Sequence, residues 1–404
     1  MIQTIKRLFR PDLYGSWQWL LVFIAFIAVH IPIIKNGIGE VNLAVLLAEA
    51  FNNGTFYVDR YYYDIAIFNG QYFVVFPPFP AILLMPFEVV FGAEALNTVL
   101  VSVLLTCLNF YLFQKILSRL AIDGESQLWL LLAFFFGTGY WYTIISSHHI
   151  NGFAHIVCTT TLFLLIGELL GKQRGWLLGL YLGLAFLCRQ MTLFYGFFVL
   201  FALLDTHWRT VGKGIDFKKL AAFFGTGAVF LIGYLLYNYA RFGNPLDSGY
   251  SYIDYSGVVA TRVANFGVFN PKFLLFNIYT TFIKGHNIEF SNLGLMQVKD
   301  VDLVGTSLLS ASPFVVAAFK AEWRAWYKWG SWLSIIIILG FTLFYHNNGW
   351  EQVNTHRFTL DFMPLLILLV ALGRKSIPGW LFRGMIVYAI VLNVLSFAVH
   401  AIYQ

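Results

Sequence analysis

The sequence predicts an all-α polytopic membrane protein with about eleven transmembrane helices and a long first external loop that carries juxtamembrane helices. Of its 404 residues, 59% are hydrophobic and only 11% are charged, whereas a soluble domain has about 25% charged residues. Apolar runs of membrane length recur along the chain, and basic residues cluster between them, as the positive-inside rule expects. Because lipid forces each backbone group to be satisfied within its own segment, we expect these runs to be helices.

The apolar runs divide the chain into two predicted modules. The first, residues 1–240, is a core of about seven spans that includes the first external loop, residues 35–94. The second, residues 241–404, consists of the second external loop and a more variable set of spans. The predicted spans lie near residues 17–34, 95–114, 127–146, 152–170, 176–188, 191–205, 220–239, 304–319, 330–345, 358–372 and 382–402.

The apolar segment 77–91, which contains four prolines, is treated differently. At about 1.5 Å per residue it is too short for a hydrocarbon core of roughly 30 Å. If it returns to the face it came from, most of the 26 lysines and arginines lie on the cytoplasmic side, as the positive-inside rule requires. We therefore predict a juxtamembrane or re-entrant helix, with the residues available for chemistry on the outside.

Few ionisable residues fall inside the predicted spans. Glu168, Arg189, Asp205 and Arg241 lie at span ends, where a long side chain can reach the interface. Arg189 in particular is expected to be an interfacial anchor. An ion-coupled transporter would keep a carboxylate or histidine near mid-membrane, so the pattern favours an enzyme. A lipid or polysaccharide flippase or transporter without catalysis, and a catalytically silent scaffold, stay as alternatives.

Acidic residues concentrate instead in the first external loop. After Glu40 we predict a helix, then a turn at residues 52–54, an aromatic strip containing Asp64, and the proline-rich helix. A carboxylate at the membrane face suits the role of a general base.

This order of motifs resembles the first loop of the C-type glycosyltransferase superfamily, which includes the protein O-mannosyltransferases and the lipid A aminoarabinose transferases. The matching residues are Glu40, Gly54, Tyr72-Phe73 and Pro77-Pro78. Asp64 is similar to an aspartate that precedes a Gly-x-Tyr-Tyr segment in many bacterial relatives.

Later segments match the superfamily in the same order, namely residues 147–155, 237–250 and 355–373. Three features depart from its pattern, and one is that the acid many members carry after the third span is absent, with His148 and His149 nearby instead. Gly39 stands where many members have aspartate, and Phe76 stands where the aminoarabinose transferases have lysine. The identity of the base and of the phosphate contacts is therefore open.

The resemblance implies a membrane enzyme that moves a sugar from a polyprenyl-phosphate donor to a lipid or glycan acceptor, with inversion. The implied location is a bacterial inner membrane with the active site on its non-cytoplasmic side. No cofactor is implied, a divalent metal is not favoured, and no nucleic-acid partner is expected. Such a transfer needs a base for the acceptor hydroxyl and cations for the departing phosphate.

The candidate residues follow from these needs. Asp64 is the first candidate for the base and Glu40 the second, although each has a capping or helix-terminal alternative. Arg357, His356, Arg241 and Tyr72 are the candidates for binding phosphate or substrate, and Arg357 has the alternative of an interfacial anchor. His148, His149 and His155 could ligate a metal, but hydrogen bonding is favoured because adjacent histidines do not readily face one ion.

The topology is testable by cysteine labelling. We expect single cysteines introduced at Asn53 and Asn97 to react with a membrane-impermeant reagent added from outside, because both positions should lie on the outer face. The predicted N-terminus is cytoplasmic and the C-terminus external. Labelling of position 97 from the cytoplasmic side alone would show that segment 77–91 crosses the membrane.

Overall fold

The structure is a computed structural model that describes residues 26–27, 30–35, 37, 41–209, 216–291, 297–347 and 352–403. It is mostly helical, as predicted, with two small antiparallel hairpins that the sequence prediction did not include. The strands are β1 Ala66–Phe68, β2 Gln71–Phe73, β3 Ile288–Ser291 and β4 Gln297–Val301. The helices are α1 Leu43–Asn52, α2 Phe79–Phe91, α3 Thr98–Arg119, α4 Gly124–Phe136, α5 Tyr140–Ile145, α6 Ile150–Leu169, α7 Gly175–Phe186, α8 Tyr195–Arg209, α9 Phe217–Phe242, α10 Gly257–Phe266, α11 Leu274–Ile278, α12 Leu308–Ala311, α13 Ala325–Leu343, α14 Met363–Gly373 and α15 Gly379–Tyr403.

Within the described ranges, four helices are long and apolar enough to cross a membrane, namely α3, α6, α9 and α15. Other predicted spans are shorter or divided. The span near 304–319 is the four-residue α12 followed by a 3₁₀ helix, Pro313–Lys320. The first predicted span, 17–34, lies largely outside the described residues. The total of about eleven spans therefore stays a prediction.

The predicted span 127–146 is interrupted between α4 and α5, and polar side chains from elsewhere in the chain bind the freed carbonyl groups. The Ser312 hydroxyl donates to the Gly137 carbonyl at 2.6 Å. The Asn393 amide of α15 donates to the carbonyls of Phe136 at 2.7 Å and Thr138 at 3.2 Å. An irregular backbone at membrane depth is tolerated because such partners replace the missing helical hydrogen bonds.

The first external loop folds largely as its local signals predict. The Asn42 side chain accepts from the Ala44 N–H at 2.8 Å and so caps α1, as asparagine commonly does. The helix ends at the predicted turn, where Gly54 has a φ of 73°. Asn69 and Gly70, with φ of 50° and 77°, form the two-residue turn between β1 and β2 that an Asn-Gly pair favours. The proline-rich helix α2 packs against α1.

The first and second external loops are joined to each other. Ala66 forms an isolated β-bridge with Ile253. The neighbouring Asp254 donates its N–H to the Ile65 carbonyl at 3.3 Å and accepts from the Tyr61 hydroxyl at 3.1 Å. This junction places the aromatic strip of the first loop beside residues 246–255.

A stripe of small residues brings α7 and α9 into close contact. Gly175, Gly179 and Gly183 are spaced four residues apart, and a Cβ on Gly179 would lie 2.4 Å from the Phe223 carbonyl oxygen. Small residues at this spacing allow helix backbones to approach closely in a membrane. The opposite side of α9 is mostly exposed, with Leu236 at 63%, as expected of a lipid-facing helix.

Candidate active site

A cavity of about 360 Å³ lies where the two external loops meet the ends of several helices. Its walls come from the segment after α7, the second external loop, the end of α13 and the turn that precedes α14. The side chains used below are Arg189, Gln190, Leu246, Tyr250, Phe269, Phe341, Tyr345, Phe358 and Asp361. The polar groups of Arg189, Asp361 and Tyr345 line the same cavity as the apolar Leu246, Phe269 and Phe341, so the cavity is amphipathic.

A buried ion pair lies in the wall of this cavity. Arg189 donates from Nε to Asp361 Oδ1 and from Nη2 to Asp361 Oδ2, both at 2.9 Å. The Asp361 side chain is 2% exposed and that of Arg189 is 16% exposed. His155 of α6 places its Nδ1 3.5 Å from Asp361 Oδ1. Two parallel charge-assisted bonds of this kind are among the strongest that proteins form.

The expectation that Arg189 is an interfacial anchor is therefore wrong. Its partner, Asp361, comes 172 residues later in the chain, so local sequence did not reveal the pair. Asp361 nevertheless falls inside the predicted span 358–372, and an acid within a span is a default functional candidate. That signal could have identified Asp361 from the sequence.

Arg357 lies one turn before Asp361, on the 3₁₀ helix Arg357–Asp361. Arg357 is buried, and its backbone N–H donates a hydrogen bond to Gln352 Oε1 at 2.7 Å. The guanidinium carbons of Arg357 and Arg189 lie 5.0 and 5.5 Å from the centroid of the same ring, that of Phe358. The structure thus brings a second arginine beside the predicted one.

His356 is fully buried next to Arg357. Burial lowers the pKa of its imidazole to about 4, and the charges of Arg357 and Lys284 act in the same direction. The ring is therefore neutral at pH 7 and can contribute hydrogen bonds there but no positive charge.

Asp64 has an unusual backbone conformation and lines a separate small cavity of about 10 Å³ with Tyr63, His148 and His149. Its φ is 60°, a left-handed conformation that is uncommon outside glycine but tolerated by aspartate. The residues on either side are held in place: the Tyr63 hydroxyl is hydrogen-bonded to His149 Nδ1, and the Ile65 carbonyl accepts from Asp254. Residues fixed in such conformations cluster at functional sites.

Tyr345 lies just after α13 and lines the cavity together with Arg189, Phe358 and Asp361. Arg357 reaches this wall through its contact with the Phe358 ring. Of the predicted site residues, the structure thus places Arg357 beside the cavity, whereas Asp64 lines a separate small cavity.

His149, at the start of α6, is hydrogen-bonded to Tyr63. Hydrogen bonding, rather than metal binding, is the role predicted for His148, His149 and His155. Burial lowers the pKa of His149 to about 4, with further lowering by His148 and Arg357, so it is neutral at pH 7. Among the described residues, no three or more His, Cys, Asp and Glu side chains are grouped closely enough to hold a metal ion.

Arg241 and Tyr72, two other candidates, are placed elsewhere. Arg241 is 4% exposed, donates to the Val74 carbonyl at 2.9 Å, and lies 3.8 Å from the Tyr237 ring centroid. It ties the end of the first hairpin to α9. In that hairpin, the backbone carbonyl of Tyr72 accepts a hydrogen bond from the Val58 N–H at 2.9 Å, and the Tyr72 ring packs on that of Tyr61. Glu40, the second candidate base, lies outside the described residues.

A second, apolar cavity of about 730 Å³ lies behind the first, between α1, α2 and α9. The two share a wall: Pro77 and Cys188 line the first, and Pro78 and Leu187 line the second. Gln190 of the first cavity donates to the hydroxyl of Tyr234, which lines the second.

No family model and no curated protein matches the chain, but solved structures do. The crystal structure of ArnT, a lipid A aminoarabinose transferase, from Cupriavidus metallidurans bound to undecaprenyl phosphate matches with a TM-score of 0.51 and 12% identity, over 90% of this chain. The chain has the fold of the C-type glycosyltransferases. The predicted resemblance is confirmed at the level of the fold.

Two further structures match less well. The same protein in the apo state matches with a TM-score of 0.49 and 14% identity, over 89% of this chain. An oligosaccharyltransferase from Archaeoglobus fulgidus in the apo form matches with a TM-score of 0.44 and 11% identity, over 95% of this chain. This chain spans 61% of the length of ArnT and 55% of that of the oligosaccharyltransferase.

The buried ion pair makes a prediction about stability. Asp361→Asn leaves the Arg189 cation buried without its carboxylate, so we expect a loss of about 3–5 kcal/mol in the free energy of unfolding. Thermal unfolding in detergent would measure it. Arg60→Ala is the control, because the pair of Arg60 with Glu49 is exposed and worth about 0–1 kcal/mol. Equal unfolding temperatures for the two variants would contradict the expectation.

Proposed function

We propose that the protein is a membrane glycosyltransferase that moves a sugar from a polyprenyl-phosphate donor to a lipid or glycan acceptor on the non-cytoplasmic face. The observation that carries the proposal is the amphipathic cavity, whose wall contains the Arg189–Asp361 pair and the Phe358 ring that Arg357 contacts, within a C-type glycosyltransferase fold. The ArnT structure that shares this fold holds undecaprenyl phosphate, which supports a lipid-linked donor.

The proposed donor phosphate binds beside the Phe358 ring, which both guanidinium groups contact. Arginine suits this role because its planar fork can donate two hydrogen bonds to one phosphate. Asp361 fixes the orientation of Arg189 and neutralises part of the charge before substrate arrives. Neutral His356 adds hydrogen-bonding capacity next to Arg357.

The proposed base is Asp64. The acceptor oxygen attacks the anomeric carbon, the bond from that carbon to the phosphate oxygen breaks, and the polyprenyl phosphate leaves with the electron pair. The acceptor proton passes to the Asp64 carboxylate, and the configuration at the anomeric carbon inverts. Since phosphate is already a good leaving group, no general acid is required, and the proposed reaction needs no cofactor.

A flippase without catalysis is the second candidate, and the apolar second cavity favours it. Its lining, which includes Phe51, Ile82 and Val229, could hold a lipid chain without any reaction. The two candidates differ in whether a new glycosidic bond is formed, so a transfer assay separates them.

The phosphate site is tested by donor binding. Arg357→Ala should weaken binding of a polyprenyl-phosphate sugar more than Arg357→Lys, because lysine keeps the charge but loses the fork. Binding to the purified protein in nanodiscs measures this, with Arg60→Ala as a control for loss of a distant cation. Equal affinity of wild type and Arg357→Ala would remove Arg357 from the site.

The base is tested by Asp64→Asn, which keeps the shape and removes the basicity. A positioned base contributes about 10²–10⁴ in rate, so we expect a loss of that size in transfer with near-normal folding and donor binding, and a smaller effect of Glu40→Gln. The assay measures sugar transfer from a panel of donors in liposomes, with EDTA and with divalent metal. Asp59→Asn is the matched control, because Asp59 lies in the same loop and its side chain is 81% exposed.

The other outcomes discriminate further. If the Asp64→Asn variant has near-normal turnover and the Glu40→Gln variant is inactive, the base is Glu40. Full activity of both variants would place the site elsewhere. If the wild-type protein transfers sugar from no donor in a broad panel but moves lipid between leaflets, the protein is better interpreted as a flippase.

A further inference from the structure

The second external loop contains a long cationic stretch. Residues 255–288 include Arg262, Lys272 and Lys284 but no aspartate or glutamate. The stretch folds into α10, a 3₁₀ turn, α11 and a π-helical turn that continues α11 to Ile283. Lys284 is paired with Asp302 at 2.7 Å, so Arg262 and Lys272 are the cations of this stretch that can attract an anionic surface.

Large apolar side chains on this stretch point away from the protein. Leu275, Tyr279 and Ile283 are spaced four residues apart, so they lie along one side of the helical segment. They are 81%, 49% and 65% exposed. A contiguous exposed apolar stripe indicates an interaction surface rather than a water-facing one.

The stripe is fixed beside the end of α13, a helix that overlaps the predicted span 330–345. The Asn277 amide donates to the carbonyls of Leu343 at 2.8 Å and Tyr345 at 2.9 Å. The ring of Phe269 packs edge-on against Phe341 of α13. The exposed stripe of the loop is therefore held next to α13, a helix that also exposes apolar side chains such as Ile336, which is 60% exposed.

The cations of the stretch lie against its aromatic rings. The Arg262 guanidinium is 4.7 Å from the Phe273 ring centroid and 5.1 Å from that of Phe276. The Lys272 ammonium is 4.3 Å from the Phe266 ring centroid. Basic and aromatic residues on one element are typical of helices that lie in the membrane interface.

We propose that residues 257–283 form a membrane-docking surface that lies in the outer leaflet without crossing it. Leu275, Tyr279 and Ile283 enter the acyl-chain region, and Arg262 and Lys272 bind the phosphates of anionic lipids. The ten residues 274–283 would extend only about 15 Å at helical rise, half the hydrocarbon thickness. This assignment does not depend on the proposed transferase activity.

Spin-label accessibility tests the docking surface in the full-length protein. Leu275→Cys and the control Lys299→Cys, whose lysine side chain is 65% exposed on β4, are labelled in phosphatidylcholine vesicles with or without phosphatidylglycerol. Wild type is labelled in parallel to subtract its own cysteines. We expect the label at 275 to collide often with oxygen, which concentrates in the bilayer, and rarely with an aqueous nickel chelate. We expect the label at 299 to collide rarely with oxygen and often with the nickel chelate.

The charge part is tested in the same vesicles. Phosphatidylglycerol should move the label at 275 deeper in the parent protein and have no such effect once Arg262→Gln and Lys272→Gln are added. Unchanged unfolding temperatures show that the variants are folded. Equal nickel accessibility at 275 and 299 would overturn the proposal, and so would shielding of 275 from both reagents, which would indicate a covering second copy. No response of the parent to phosphatidylglycerol would overturn the lipid-phosphate contacts.

Discussion

The arrangement of the candidate site depends on the ion pair between Arg189 and Asp361. Removing two charges from water costs more than their attraction returns unless the geometry is good, and here both carboxylate oxygens are bonded by one guanidinium. The pair connects the segment after α7 to the turn before α14. That turn also carries Arg357 and Phe358, so its position determines where the second cation lies. Without this contact, the cavity would lack a fixed cationic wall.

Local sequence signals predicted the parts of the fold that local interactions determine. The glycine turn after α1 and the prolines before α2 each act within a few residues, and each feature lies where it was expected. The hairpin at Asn69-Gly70 had an equally local signal that the aromatic composition obscured. The long side chains were predicted less well. Arg189 and Arg241 were both placed at span ends, yet each is hydrogen-bonded to a partner more than 160 residues away in the chain.

The reason for this difference is physical. Whether an arginine extends to the interface or pairs inside the bundle depends on which acid or carbonyl the fold brings to it, and periodicity does not contain that information. Of the predicted site residues, Arg357 contacts the cavity-lining Phe358, whereas Asp64 lines a separate small cavity. The first external loop is joined to the second, which lines the larger cavity, through Ala66 and Ile253. The first loop alone could not have shown that contact.

The polar contacts of α15 have a consequence for how the chain is made. Its Asn393 satisfies carbonyl groups at the break between α4 and α5, 257 residues earlier in the chain. At a synthesis rate of about 5–20 residues per second, the interrupted helix waits roughly 13–50 s for this partner. During that interval its backbone must be satisfied by water or by the insertion machinery. Helix α15 therefore completes the hydrogen bonding of a break made much earlier, since a chain truncated before residue 393 retains every candidate catalytic residue but leaves the Phe136 and Thr138 carbonyls without their Asn393 partner.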